Sequence, residues 1–267
     1  MTSALDFEAL APIRANPKHA AVLLDIDGTL APIVDMAADA QVPESTRQLL
    51  IRVARHYEVV ACVSGRRASE ARAMVSIGAI SYLGSHGSEL LRAGWTEPRL
   101  DPKLEEWVVR VQEFSRESDT PDLRRRRVRI ENKGTIVAFH WRGAPDEEAA
   151  RAAIDAVAAR AEASGFRTHW GRKVLEVRPP VRIDKGAGIK AFLSDTDVEA
   201  AMYVGDDTTD LDAFRALTEL VQEGQIAHAI RVGVRSDEGP SEITGEADIV
   251  VDGTGGVRDL LAALIAE

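Results

Sequence analysis

The sequence predicts an α/β chain, a doubly wound and mostly parallel sheet interrupted by an inserted α+β unit. Three observations carry this expectation. Short apolar runs at residues 21–24, 58–63, 80–83 and 200–204 lead into polar turns, most of them containing glycine, as strands buried on both faces of a parallel sheet do. Helical patterns separate those runs, and strand–helix–strand–helix–strand is the signature of parallel strands with right-handed crossovers. Between residues 101 and 179 the alternation stops and reads as helix, hairpin, helix, hairpin.

Residues 1–20, with Pro12 and Pro17, form a helical turn or loop ahead of the first strand. After the Asp25-Ile26-Asp27-Gly28 turn, Pro32, Asp35 and Pro43 mark a loop. Pro43 opens a helix to about Tyr57, with Leu49, Leu50, Val53 and Ala54 on one face. A strand at 58–63, a helix at about 67–75 and a strand at 80–83 follow. A short hairpin runs to about Glu97, and Pro98 and Pro102 frame a boundary. The insert then reads as a helix at 103–117, strands at 125–131 and 135–141, a helix at 146–164, and strands at 166–170 and 173–178. Alternation places Arg125, Arg127 and Arg129 on one strand face, a basic patch read as a solvated sheet face. Pro179-Pro180 closes the insert. A helix at 185–193, a strand at 200–204, a helix to 220, strands near 227–234 and 248–251, and a helix at 255–266 complete the sheet. The expected domains are a discontinuous core, 1–100 and 180–267, and an insert, 101–179, that caps it. Hinges are expected near residues 98–102 and 178–180.

Composition narrows the function classes. The 267 residues are 45% hydrophobic, enough for a sizeable core. A net charge of −10 disfavours broad nucleic-acid binding but leaves room for a local phosphate pocket. The single cysteine, Cys62, sits in an apolar run as a buried small hydrophobe, and fits a reducing compartment. No signal-peptide pattern opens the chain, and no apolar run approaches the roughly 18 residues of a membrane span. The expectation is a cytoplasmic protein with a small-molecule substrate, and neither nucleic-acid nor membrane partners.

Three polar clusters follow three apolar strands: Asp25 and Asp27, Ser64-Gly65-Arg66, and Asp206, Asp207 and Asp210. All emerge at the carboxyl edge of one sheet, where open α/β sheets bind ligands. Two carboxylates one residue apart repel unless a cation or shared proton compensates, and oxygen ligands suit Mg²⁺. An anion at that edge would meet the Ser64 hydroxyl, turn N–H groups and the Lys185 ammonium. A divalent cation would meet Asp25 and Asp206. Nucleophile, metal, hydroxyl and ammonium together suit phosphoryl transfer.

Asp25-Ile26-Asp27-Gly28-Thr29-Leu30, Ser64, Lys185 and Gly205-Asp206-Asp207 resemble, in order, the four motifs of haloacid-dehalogenase-like phosphatases. The resemblance implies a Rossmann-like core in which Asp25 attacks phosphorus, while Asp27 protonates the leaving alcohol and then activates water. Ser64, Gly65 and Lys185 would hold the phosphoryl oxygens. Mg²⁺ would bind the Asp25 carboxylate, the Asp27 backbone carbonyl and the Asp206 carboxylate, with Asp207 and Asp210 behind them. A proton-donating Asp27 implies a raised pKa.

Further segments resemble the trehalose-6-phosphate phosphatases within that superfamily: Gly84-Ser85-His86-Gly87-Ser88-Glu89, Glu131-Asn132-Lys133-Gly134, His140-Trp141-Arg142, Lys173-Val174-Leu175-Glu176-Val177-Arg178-Pro179 and Gly205-Asp206-Asp207-Thr208-Thr209-Asp210. The resemblance runs from about residue 20 to 220. It implies that Glu131, Lys133 and Glu176 in the cap bind sugar hydroxyls, with His86, His140 and Arg142 beside them, and a functional link to a trehalose-6-phosphate synthase. His140 and Arg142, two apart on a strand, would share a face. The alternatives are a phosphatase for another phosphosugar, of the sucrose phosphate or mannosylglycerate phosphate type, and a non-catalytic sugar-phosphate-binding module. The module reading is disfavoured because Asp25, Asp27, Lys185 and Asp206 are all present.

Overall fold

The computed structural model describes residues 8–34, 39–132, 134–171, 173–181, 183–236 and 239–266. The chain divides into two compact units, residues 1–99 with 183–267, and residues 100–182.

In chain order the first unit begins with α1 (Ala11–Ala15), β1 (Ala20–Leu24), α2 (Glu44–His56), β2 (Val59–Val63), α3 (Ala68–Val75), β3 (Ser81–Gly84) and β4 (Glu89–Leu91), with β5 (Arg99–Leu100) at the junction of the two units. The second unit holds α4 (Pro102–Ser118), α5 (Pro121–Arg125), β6 (Arg129–Asn132), β7 (Val137–His140), α6 (Glu147–Ala163), β8 (Arg167–Gly171) and β9 (Val174–Arg178). The chain returns to the first unit through α7 (Lys185–Leu193), β10 (Ala200–Gly205), α8 (Asp210–Gln222), β11 (His228–Arg235), α9 (Ser241–Gly245), β12 (Ile249–Asp252) and α10 (Gly253–Leu264).

The first unit's sheet has the order β12-β11-β10-β1-β2-β3-β4-β5. From β12 to β3 every pairing is parallel, and β4 joins antiparallel. Alternation sorts β1 into two cores. Ala20, Val22 and Leu24 pack with the layer holding Leu50, Val53 and Leu260, and Ala21 and Leu23 with the layer holding Ile189, Phe214 and Leu217. All five β1 residues are buried, which is why the run carries no polar residue. Cys62 lies in the first of these layers, and burial pushes its thiol far above the ordinary value.

The second unit is an antiparallel sheet, β6-β7-β9-β8. Val137, Phe139, Leu175 and Val177 point from it into a core closed by α4 (Val111, Phe114) and α6 (Ile154, Val157, Ala161). No described helix is long and apolar enough to cross a membrane.

Two local expectations are corrected. The basic run does not open a strand, because Thr120 caps a helix by accepting from the Leu123 N–H (3.3 Å) with Pro121 in its first turn. Arg125 therefore ends α5, and Arg127 turns left-handed (φ 56°). The patch is also paired, Arg124 with Asp119, and Arg125 and Arg126 with Asp122. Arg142 lies beyond the end of β7, ahead of the left-handed Gly143, so it does not share a strand face with His140.

Candidate active site

The carboxyl ends of β1, β2 and β10 are neighbours in the sheet, and the acidic and hydroxyl groups gather there. The Asp25 N–H donates to the Val204 carbonyl (2.9 Å), which continues the β1–β10 ladder one residue into the loop. Gly28 then turns the chain with φ 86°. A Cβ on Gly28 would stand 2.0 Å from Asp206 Oδ2, so only glycine lets the two loops approach this closely. Thr29 Oγ1 donates to Asp206 Oδ1 at 3.0 Å. Lys185 opens α7, whose N-cap Asp184 accepts from the Ala187 N–H at 2.8 Å.

Lys185 is 3% exposed. Its ammonium donates to Asp25 Oδ1 and Asp210 Oδ1, both at 2.6 Å. Asp210 Oδ1 also accepts from the Tyr203 hydroxyl (2.6 Å), and Oδ2 from the backbone N–H groups of Asp206 and Asp207 (2.9 Å each). With four donors on two oxygens, the acceptor capacity of Asp210 is used. It braces Lys185 and the Asp206 turn.

Oxygens of Asp25, Asp206 and Asp210 lie within 4.8 Å of one another. Three buried carboxylates thus face one ammonium. Burial pushes Asp25 well above the usual carboxylate range, Lys185 opposes the shift, and Asp210 and Asp206 add to it. Burial, with Asp210, pushes Asp206 up to about 6. Burial disfavours the Lys185 cation, yet Asp25 and Asp210 hold its pKa above the ordinary value. This surplus of negative charge, offered by hard oxygen donors, is the environment that a divalent cation stabilises. Asp25 and Asp206 are the residues to hold it, since Asp210 is already engaged.

Ser64 is buried at the end of β2, and its N–H donates to the Leu83 carbonyl (2.9 Å). Its Oγ accepts from the Arg66 N–H (3.1 Å). Asp27 forms a bidentate pair with Arg66, Nε to Oδ2 at 2.8 Å and Nη2 to Oδ1 at 2.7 Å. Asp207 is exposed, and its backbone joins the network, its N–H donating to Asp210 Oδ2 and its carbonyl accepting from the Asp210 N–H (2.9 Å each).

The sugar set predicted from sequence is divided. His86 belongs to the first unit, where its ring stands against Gly65. Glu131, His140 and Glu176 belong to the second, and Lys133 lies outside the described residues. Register places Glu131, Ala138, Glu176 and His169 in one row across β6, β7, β9 and β8. That row lies on the face opposite Phe139 and Leu175, the face that α4 and α6 leave uncovered. His140 Nε2 bonds Glu131 Oε2 (2.9 Å), and Arg178 holds Glu176 through Nε (3.1 Å) and Nη2. Arg142 is exposed in its turn.

Several residues escaped the sequence reading. Arg66 lies in the Ser64-Gly65-Arg66 turn, but its partner, Asp27, is 39 residues away. Tyr203 looks like any strand residue. Thr29 carries no signal in sequence beyond its motif. His169 shows its place only through strand register. A cavity of about 500 Å³, lined in part by Lys18, Glu58, Ser81 and Arg92, opens at the amino ends of β1–β3, away from Asp25 and Asp206.

The trehalose-phosphatase family model matches residues 23–248. A trehalose-phosphate phosphatase of Mycobacterium avium is 34% identical over 213 residues, 75% of this chain and 52% of its own length. The chain spans about half to just under two thirds of the curated relatives it first matches. Among solved structures, an Aspergillus fumigatus trehalose-6-phosphate phosphatase superposes with a TM-score of 0.68 at 22% identity, covering 99% of each chain. A haloacid dehalogenase-like hydrolase from Bacteroides thetaiotaomicron gives 0.59 at 16% identity, covering 93% of this chain and all of that one. Both structures share this chain's fold.

Proposed function

The chain belongs to the trehalose-phosphatase family, with a haloacid-dehalogenase-like fold, and on that premise we propose that it hydrolyses trehalose 6-phosphate to trehalose and phosphate. The observation that carries the reading is Lys185, buried and bonded at 2.6 Å to both Asp25 and Asp210 at the carboxyl edge of the sheet. A buried carboxylate braced by an ammonium, beside further carboxylates suited to a divalent cation, is what an anionic nucleophile needs to approach a phosphate ester.

In the proposed reaction an Asp25 oxygen forms a bond to phosphorus as the bond from phosphorus to the sugar oxygen breaks. Asp27 gives the departing alkoxide a proton. It then takes a proton from water as the water attacks the phosphoaspartate, releasing phosphate and restoring Asp25. Because Arg66 holds both Asp27 oxygens, that pair must loosen before Asp27 reaches the leaving group. Ser64, the Gly65 turn and Lys185 hold the phosphoryl oxygens. Mg²⁺, held by Asp25, the Asp27 carbonyl and Asp206, would supply charge that offsets repulsion between nucleophile and phosphate.

Residues 101–179 serve as the cap, and the Glu131–Glu176 row recognises sugar hydroxyls, with His140 orienting Glu131. The enzyme works in the cytoplasm, and a trehalose-6-phosphate synthase supplies its substrate. Phosphate release from a panel of sugar phosphates, with EDTA and Asp25→Asn controls, tests the reading. Preference for trehalose 6-phosphate, abolished by both controls, supports it. Equal rates across the panel would remove the substrate assignment, and no release from any ester would remove the catalytic one.

A further inference from the structure

The loop after β3 carries three successive residues in the left-handed region: Ser85 (φ 49°), His86 (φ 57°) and Gly87 (φ 92°). Only the last is glycine, so two side chains are held where L-residues rarely settle, and such outliers persist only where surroundings enforce them. The Ser85 N–H donates to the Arg66 carbonyl (2.7 Å), and the His86 N–H to the Ser64 carbonyl (3.0 Å). The loop therefore closes directly on the turn that bears Ser64.

Its other flank meets α7. A Cβ on Gly87 would lie 2.9 Å from Gly188 Cα and 3.0 Å from the Asp184 carbonyl oxygen, so the loop is in backbone contact with the first turn of the Lys185 helix. The imidazole covers Gly65, where a Cβ would stand 2.8 Å from His86 Cε1 and 3.0 Å from Nε2. Burial and the Lys185 ammonium both push this imidazole below its ordinary value, which leaves it neutral at pH 7. The loop thus touches both elements that carry the anion-binding groups, through His86 on the Ser64 turn and through Gly87 on α7.

We propose that His86 is a positioning residue of the phosphate cradle: seated on Gly65, in the loop that Gly87 packs against α7, it fixes the Ser64 hydroxyl, the turn N–H groups and Lys185 relative to one another. It acts on the phosphoryl group whatever alcohol that group esterifies, and is not part of the sugar set. This rests on the phosphatase reading above.

The informative variant is His86→Gly, which removes the ring while suiting the left-handed backbone. Its melting temperature stays at or above that of the wild type. Its kcat/KM falls by the same factor, roughly 10- to 100-fold for a cradle out of register, on p-nitrophenyl phosphate and on trehalose 6-phosphate. Inorganic phosphate weakens in parallel as a competitive inhibitor. His86→Asn, which tolerates the same backbone and keeps a polar side chain, recovers part of the loss on both esters. A loss confined to the sugar phosphate would make His86 a sugar residue. Unchanged rates on both, or a lowered melting temperature accompanying the loss, would equally overturn the proposal. Calorimetric titration with inorganic phosphate reads the same weakening without turnover. A wild type that hydrolyses neither ester therefore sinks the phosphatase reading and leaves this test in force.

Discussion

The two units handle charge in opposite ways. At the carboxyl edge of the first, Asp25, Asp206, Asp210 and Lys185 are buried, with Lys185 bridging two carboxylates and Asp210 accepting from four donors. On the outward face of the second, Glu131, His140, Glu176 and Arg178 are partly exposed and paired with near neighbours. Buried groups in low dielectric interact strongly and hold one geometry, whereas exposed pairs are screened and exchange partners at little cost. The first arrangement suits bond-making, where small displacements matter. The second suits recognition of hydroxyls, which needs carboxylates able to change partners.

The contrast breaks most visibly at Lys185. Lys185→Met leaves Asp25 and Asp210 facing each other with no cation, and at pH 8 we expect about 3–5 kcal/mol less stability in denaturant unfolding, the cost of removing one partner of a buried pair. The deficit shrinks as pH falls, because Asp25 then takes a proton. A loss under 1 kcal/mol would mean that water reaches this site freely. In the second unit, the exposed Asp119–Arg124 pair, between α4 and α5, should show the opposite, with Asp119→Ala leaving the unfolding midpoint unchanged.

Asp206 gives the next effect. Its folded pKa of about 6 exceeds the ordinary 3.8, so the folded state binds this proton more tightly than the unfolded chain. Its contribution to stability is therefore complete below pH 4 and is lost as pH rises from about 4 to 6. The size is on the order of 2–3 kcal/mol for a shift of about two units. With divalent cations chelated, Asp206→Asn should flatten the stability profile across that window. An unchanged profile would show that Asp206 is not the group titrating there.

The smallest effect belongs to the second unit. Glu176→Gln keeps the shape and removes the charge. KM for trehalose 6-phosphate should rise about tenfold, as expected for one weakened charged hydrogen bond, with p-nitrophenyl phosphate unaffected. Parallel loss on both esters would erase the distinction between the units.

The sequence showed the core site more fully than the insert, for a physical reason. Each core group follows directly on an apolar strand, so Asp25, Ser64 and Asp206 announce their shared edge through local order alone. What the acids do to one another is not local. Asp207 and Asp210 look equivalent in sequence, and only hydrogen bonds separate Asp210, fully engaged, from Asp207, exposed. The Arg66 pairing with Asp27 likewise depends on β1 and β2 lying side by side. In the insert, the alternation of Arg125, Arg127 and Arg129 reads as a strand, but Thr120 caps a helix there. The cap, with Pro121, outweighed the alternation, and a strand forms only from Arg129. The row Glu131–Ala138–Glu176–His169 depends on register across four strands, which single-strand patterns do not reveal.

The place of β1 in the sheet bears on how the molecule comes into being during synthesis. β1 pairs with β10, about 180 residues later in the chain, and the whole insert is made between them. Strands β6 to β9 pair with partners close in sequence, contacts of the kind that form early. As the chain leaves the ribosome, the second unit can complete its sheet while Asp25 still awaits both Lys185 and Asp206. The catalytic edge thus assembles after the insert, and a truncated chain ending before Ala200 carries a finished insert beside an unfinished core.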